Sequence, residues 1–308
     1  MVTWLFTHPM CIEHDPGPFH PEQPERLRAV VAALEAEEFK GLSRHEAPSA
    51  ERAQIERVHA PTYVDAVFAA VPESGQVHLD PDTAVSSASG EAALRAAGAV
   101  TAAVDAVVTG AAKNAFCAVR PPGHHAEASR AMGFCLFNNV AIGAEHARAV
   151  HGLARVAVID FDVHHGNGTQ HSFERDPGLF YASSHQSPCY PGTGGEGEHG
   201  VGNVVNAELA PGAGSDAFRR AYEVRILPAL AAFAPELVIF SAGFDAHVRD
   251  PLAQLRLGTD DFAWVTNAAL DVADVSAEGR CVASLEGGYD LDALAEGVTV
   301  HVRALAER

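Results

Sequence analysis

The run Asp160-Phe161-Asp162-Val163-His164-His165-Gly166-Asn167-Gly168 sets carboxylates and imidazoles at alternate positions, directly after the apolar stretch Val156-Ala157-Val158-Ile159. Side chains alternate across a strand, so a strand continuing through this run would point Asp160, Asp162 and His164 the same way. Asp and His together suit a divalent ion such as zinc, which accepts nitrogen and oxygen donors. The competing reading is a polar strand end feeding a loop. Three ligand-type residues in register, followed by a second His, favour the metal.

Other short apolar runs also end in reactive residue types. Ala115 to Val119 leads into Arg120-Pro121-Pro122-Gly123-His124-His125. Adjacent histidines diverge and make poor joint ligands for one ion. On a turn each can take its own role, and a neutral imidazole is the usual general base near pH 7. Leu237 to Phe240 leads into Ser241-Ala242-Gly243-Phe244-Asp245. Asp245 is either a turn former or, beside Asp162 and His164, the third ligand of a site with an open fourth position. Cys281 to Leu285 leads into Glu286-Gly287-Gly288-Tyr289-Asp290, where glycines allow close backbone approach and the Tyr289 hydroxyl could donate to an oxyanion or simply pack. Phe134 and Tyr190, each in a Gly- or Pro-rich segment, are candidates for core packing or for a narrow apolar channel.

Residues at the ends of several apolar runs require elements that bring those ends together. Strands are expected at Thr3 to Phe6, Ala115 to Val119, Val156 to Ile159, Leu179 to Ala182, Leu237 to Phe240 and Cys281 to Leu285. Between them lie helix-like stretches at Glu22 to Phe39, Ser89 to Thr109, Asn138 to Val150, Ala217 to Phe233 and Thr259 to Val275. Strands alternating with helices predict an α/β protein with a parallel central sheet covered by helices on both faces. Ligands bind such sheets at the carboxyl ends of the strands, where these residues fall. No linker or repeat interrupts the 308 residues, so the expectation is a single domain over 1–308.

Hydrophobic residues make up 47% of the chain, enough for a sizeable core. Lys and Arg number 21 against 40 Asp and Glu, a formal net charge of −19 that disfavours nucleic-acid partners. The five cysteines, Cys11, Cys117, Cys135, Cys189 and Cys281, are widely spaced with no Cys-x-x-Cys pair, as expected in a reducing compartment. No apolar stretch is long enough to span a membrane, and a cytoplasmic location is the expectation.

Taken together, the motifs resemble the histone deacetylase family. The matching segments are Arg120 to His125, Gly133 to Asn138, Asp160 to Gly168, Tyr190 to Gly194, Ser241 to Asp245 and Leu285 to Tyr289, in the family's order, with His14-Asp15 to Pro24-Glu25-Arg26-Leu27 similar to its N-terminal motif. The details look most like class II and the bacterial class II-like amidohydrolases. The resemblance implies a three-layer arginase/deacetylase-like fold and one catalytic Zn²⁺ bound by Asp162, His164 and Asp245. It implies His125 as general base and then acid, His124 as its electrostatic companion, and Tyr289 as donor to the substrate carbonyl. Phe134 and Tyr190 would wall an acyl-lysine tunnel. Asp160 and Ser183, with backbone carbonyls, would hold a structural K⁺, and a second monovalent site would lie near Phe173 and Asp176. Asn167 would orient His125, and Asp160 would orient His124. Arg26 resembles an arginine beside the family's internal pocket.

The implied reaction is removal of an acetyl or other acyl group from the ε-amine of lysine in a peptide, protein or small acylated amine. Leu252 stands where protein deacetylases carry an apolar gatekeeper and the polyamine-selective relative carries a glutamate. That favours acyl-lysine over the closest alternative, an acetylpolyamine amidohydrolase. An arginase-like ureohydrolase would need an Asp-x-Asp pattern where Asp245-Ala246-His247 stands. A non-catalytic acyl-lysine binding protein would not need the histidine pair and tyrosine kept intact. Assembly into a homo-oligomer is compatible with the loops near Pro16 to Pro21 and Ser187 to Gly202.

Overall fold

The computed structural model describes residues 2–308. Its strands are β1 (Trp4–Thr7), β2 (Ser43–Glu46), β3 (Val77–Asp80), β4 (Thr83–Val85), β5 (Asn114–Cys117), β6 (Val156–Asp160), β7 (Leu179–Gln186), β8 (Val204–Leu209), β9 (Leu237–Ala242) and β10 (Cys281–Leu285). Eight of them form one sheet in the order β2-β1-β5-β10-β9-β6-β7-β8. Every pairing in that sheet is parallel. The remaining pair, β3 and β4, is a small antiparallel hairpin. A parallel sheet packed against helices is the α/β arrangement expected from the sequence.

The sheet's interior explains why its strands are legible. β5, β6, β9 and β10 are buried along their whole length. Strands covered on both faces read as continuous apolar runs. The two edge strands carry no such signal. β2 is Ser-Arg-His-Glu with alternating half-buried and exposed residues, and β8 contains Asn206 and Glu208. Polar edges discourage pairing with another chain, and they also conceal the strand from a search for apolar runs.

Helices pack in two groups. The long helix Ser89–Val108 lies against β1, β5 and β10 and crosses the helix Asn139–His151. Half of its buried positions are alanine, which favours helix and lets the backbone lie close to the sheet. The helices Thr259–Ser276 and Leu291–Ala306 pack on one another, and the latter also meets Pro24–Ala33.

Several expected bounds are corrected. The stretch Glu22 to Phe39 is not one helix: Pro24–Ala33 is helical, and Glu37–Phe39 is a separate 3₁₀ turn. Ala217 to Phe233 is broken by a π-helical turn at Tyr222–Ile226. The terminal helix Leu291–Ala306 was not expected, because its start is hidden beside the glycine-rich motif; Asp290 caps it by accepting from the Ala293 N–H at 2.8 Å.

Candidate active site

Four neighbouring strands, in spatial order β5-β10-β9-β6, end side by side. Their following loops carry His124 and His125, Tyr289, Asp245, and Asp162 with His164, so the sheet order alone gathers residues far apart in sequence.

The strand β6 stops at Asp160, so alternation does not govern the residues beyond it. Asp160 turns away from Asp162 and His164. Its Oδ2 accepts from the Tyr181 hydroxyl and faces His124 Nδ1, each at 3.0 Å, while its Oδ1 accepts from the Asp162 N–H. Asp162 and His164 instead meet Asp245: His164 Nδ1 lies 3.1 Å from Asp162 Oδ1 and 3.1 Å from Asp245 Oδ2. Donors bound to a tetrahedral ion with bonds of about 2.0–2.1 Å stand about 3.3 Å apart. The three side chains therefore already have the spacing of a divalent-ion site, and they form one of the two His/Asp clusters with metal-ligand spacing among the described residues.

The surroundings fit a cation. Gly243 and Gly287 press on the carboxylates: a Cβ on Gly287 would lie 2.1 Å from Asp245 Oδ2 and 2.5 Å from Asp162 Oδ2, and one on Gly243 would lie 2.1 Å from Asp162 Oδ2. Only glycine permits that approach. Backbone N–H groups of Gly287 and Val163 donate to Asp162 Oδ2 and Asp245 Oδ1 at 2.8 Å each, fixing the remaining oxygens. Burial, followed by repulsion from Asp162, pushes the Asp245 carboxyl up to about 7. Two buried carboxylates this close call for a positive partner.

The histidine pair separates as expected for a turn. His125 Nδ1 lies 2.8 Å from Asn167 Oδ1, and the two rings stand 4.0 Å apart. Burial opposes charge on His124, but the Asp162 and Asp160 carboxylates outweigh it and raise the imidazole to about 10. Burial, together with the charges of His124 and His164, holds His125 well below the ordinary imidazole range. The two neighbours are thus pushed in opposite directions, His124 toward the charged form and His125 toward the neutral one.

His125, His164, Tyr289, Phe134, Tyr190 and Leu252 all line one cavity of about 230 Å³. Phe134 projects into it from a tight turn, Met132 to Cys135, in which Gly133 and Phe134 both have positive φ. A side chain at position 133 would collide with the His125 ring at 2.3 Å, so glycine there lets the wall approach the imidazole. The Phe134 and Tyr289 rings are 5.9 Å apart, edge to face. Burial keeps the Tyr289 phenol protonated, its pKa well above the usual value.

Other residues that organise the cavity carry weaker sequence signals. Glu286 accepts from the N–H groups of Gly123 and His124 at 2.7 and 3.2 Å, tying the histidine loop to the tyrosine loop. Asp250 accepts from the Tyr289 N–H at 2.8 Å. Arg26 donates to the carbonyls of Gly288 and Glu286 at 2.6 and 2.5 Å and to Glu22 at 2.9 Å, and Glu22 also pairs with Arg120. Asp82, at the end of the β3–β4 hairpin, reaches the same cavity. Glu286 follows an apolar run and Arg26 lies in the helix Pro24–Ala33, whereas Glu22, Asp82 and Asp250 lie in loops without periodicity. Of the residues expected around K⁺, Ser183 lies opposite Asp160 in the β6–β7 register and bonds His185 Nδ1 at 2.9 Å. Near Phe173 and Asp176, three carbonyls converge on the Asn203 side-chain amide.

The central strand ends of a parallel α/β sheet thus gather an Asp-His-Asp cluster with metal-ligand spacing beside a cavity lined by His125, His164 and Tyr289. The sequence comparisons give the family: residues 20–305 match the histone deacetylase domain, and the chain belongs to that family. It is 41% identical to histone deacetylase 14, chloroplastic, of Arabidopsis thaliana, over 93% of this chain and 73% of that one. Identity is 39% to the histone deacetylase-like amidohydrolase of Pseudomonas aeruginosa, covering 93% and 81% respectively. The human polyamine deacetylase HDAC10 is also 39% identical, across 92% of this chain and 44% of that protein. The solved HDA15 HD domain superposes with a TM-score of 0.95 at 34% identity, covering all of this chain and 90% of the other.

Proposed function

We propose that the chain acts as a single zinc-dependent amidohydrolase domain that removes acetyl or another acyl group from the ε-amine of lysine. The observation that carries this reading is the convergence of Asp162, His164 and Asp245, with His164 opening into a cavity that His125 and Tyr289 also line. Zn²⁺ held by those three side chains would supply Lewis-acid polarisation of the amide carbonyl and of a water molecule.

The chain's own groups then divide the remaining work. His125, neutral because of burial and the charged His124, takes a proton from the attacking water at Nε2 and returns it to the departing amine. His124, paired with Asp160, stays protonated and stabilises negative charge nearby. The Tyr289 hydroxyl donates to the oxyanion that develops on the substrate carbonyl. Phe134 and Tyr190 enclose the aliphatic part of the acylated amine, and Leu252 presents an apolar surface at the opening. Asp160 and Ser183 offer hard oxygen donors on adjacent strands, suited to a structural K⁺.

A second reading, an acylated polyamine as substrate, is favoured by the Asp82 carboxylate in the cavity lining and by the human relative named as a polyamine deacetylase. Hydrolysis of an acetyl-lysine peptide and of acetylspermidine, measured side by side on the same preparation, tests the choice. The expected result is a higher kcat/KM on the peptide. Turnover of the acetylspermidine alone would overturn the lysine reading and show that Leu252 is not a barrier to a second ammonium.

A further inference from the structure

Asn167 is held by more than His125. Its Oδ1 lies 2.8 Å from His125 Nδ1, whereas its Nδ2 faces Glu127 Oε1 at 2.7 Å, Met132 Sδ at 3.4 Å and the His125 carbonyl at 3.5 Å. Every partner on the Nδ2 side is an acceptor. Glu127 is the strongest, since a carboxylate accepts and cannot donate. Turning the amide over would set Asn167 Oδ1 against that carboxylate, with no hydrogen between them.

The amide's direction decides where the proton of His125 sits. A carbonyl oxygen only accepts, so the neutral imidazole must carry its hydrogen on Nδ1, which leaves a lone pair on Nε2. With the amide reversed, Nδ2 would donate to Nδ1 and drive the hydrogen to Nε2, and a ring protonated there is no base. In an aspartate at this position the two oxygens are equivalent, and no such ambiguity exists. An asparagine needs something else to choose its direction.

We propose that Glu127 is a positioning residue that acts through Asn167 to fix the Nδ1–H tautomer of His125. The role rests on the reading of His125 as general base. His171 supports it, with Nδ1 3.0 Å from the same Glu127 oxygen. The Glu127 backbone is set separately by its bond to the Arg130 carbonyl at 2.9 Å, so the side chain can be changed without removing that turn.

The test compares the metal-loaded wild type with Glu127→Ala, Asn167→Asp and the double variant. Glu127→Ala should lower kcat on an acetyl-lysine peptide roughly 10- to 100-fold at unchanged KM, the usual cost of losing a partner that orients a reactive group. In the Asn167→Asp background the same deletion should cost less than about twofold, because either carboxylate oxygen accepts from Nδ1. Glu127→Gln, whose amide oxygen still accepts, should retain most of the rate. The ¹⁵N NMR signals of His125 should report Nδ1–H in the wild type and an added Nε2–H population in Glu127→Ala. Glu127→Met, similar in length but without an acceptor oxygen, repeats the comparison if the alanine variant unfolds. An unchanged tautomer in Glu127→Ala and Glu127→Met, or equal rate losses in both backgrounds, would overturn the proposal. Absence of turnover in the wild type would instead sink the functional reading, and the NMR comparison would still decide the role of Glu127.

Discussion

Gly287 shows how a residue without a side chain can govern a site. Its N–H holds Asp162 while its missing Cβ leaves room for two carboxylates. Gly287→Ala should therefore displace Asp245 or Asp162 and weaken divalent-ion binding by at least about tenfold, in line with the loss of ligand orientation. Equilibrium dialysis against a competing chelator would read it, and wild-type affinity in the variant would contradict the account. The Asp162, His164 and Asp245 cluster was legible because its members follow apolar runs, where carboxylates and imidazoles stand out. Glu22, Asp250 and Glu127 were not. Their meaning comes from Arg26, Tyr289 and Asn167, which lie at unpredictable distances along the chain.

The elements behave similarly. Each expected strand is present, because strands buried on both faces spell themselves in Val, Ile, Leu and Phe. The edges β2 and β8 and the β3–β4 hairpin stayed hidden, being polar or short. The terminal helix Leu291–Ala306 contributes a pH-dependent term. Its His301 sits among Phe116, Phe161, Phe240 and Phe244, with centroids 5.5 to 5.9 Å away, and burial lowers it from 6.5 to about 3. Nδ1 bonds Thr266 at 2.7 Å, and Nε2 has no partner. In acid the unfolded chain protonates this histidine before the native one does. The associated stability is therefore intact above pH 6.5 and is lost as pH falls toward 3. Relative to His301→Phe, the wild type should lose about 2 kcal/mol between pH 8 and pH 5. Urea unfolding at stepped pH checks this; parallel curves for the two proteins would contradict it.

At the scale of the whole molecule, the strand order does what no local motif can. β9 and β10 return to the middle of the sheet, between β6 and β5, and so set Asp245 and Tyr289 between the Asp-x-His loop and the histidine pair. That insertion was not readable from the sequence, although the parallel sheet was. None of the helices is long and apolar enough to cross a membrane among the described residues, and all the cysteines are free, four of them buried. The central claim is that one divalent ion at Asp162, His164 and Asp245 enables amide hydrolysis. The most direct measurement is a titration of chelator-treated protein with Zn²⁺, following bound metal and acetyl-lysine hydrolysis together in the wild type and in Asp245→Asn. The account expects activity to rise and saturate at about one tightly bound ion per chain, with both binding and turnover lost in the variant. Full activity without metal, or a requirement for two ions with no amide hydrolysis under zinc, would contradict it.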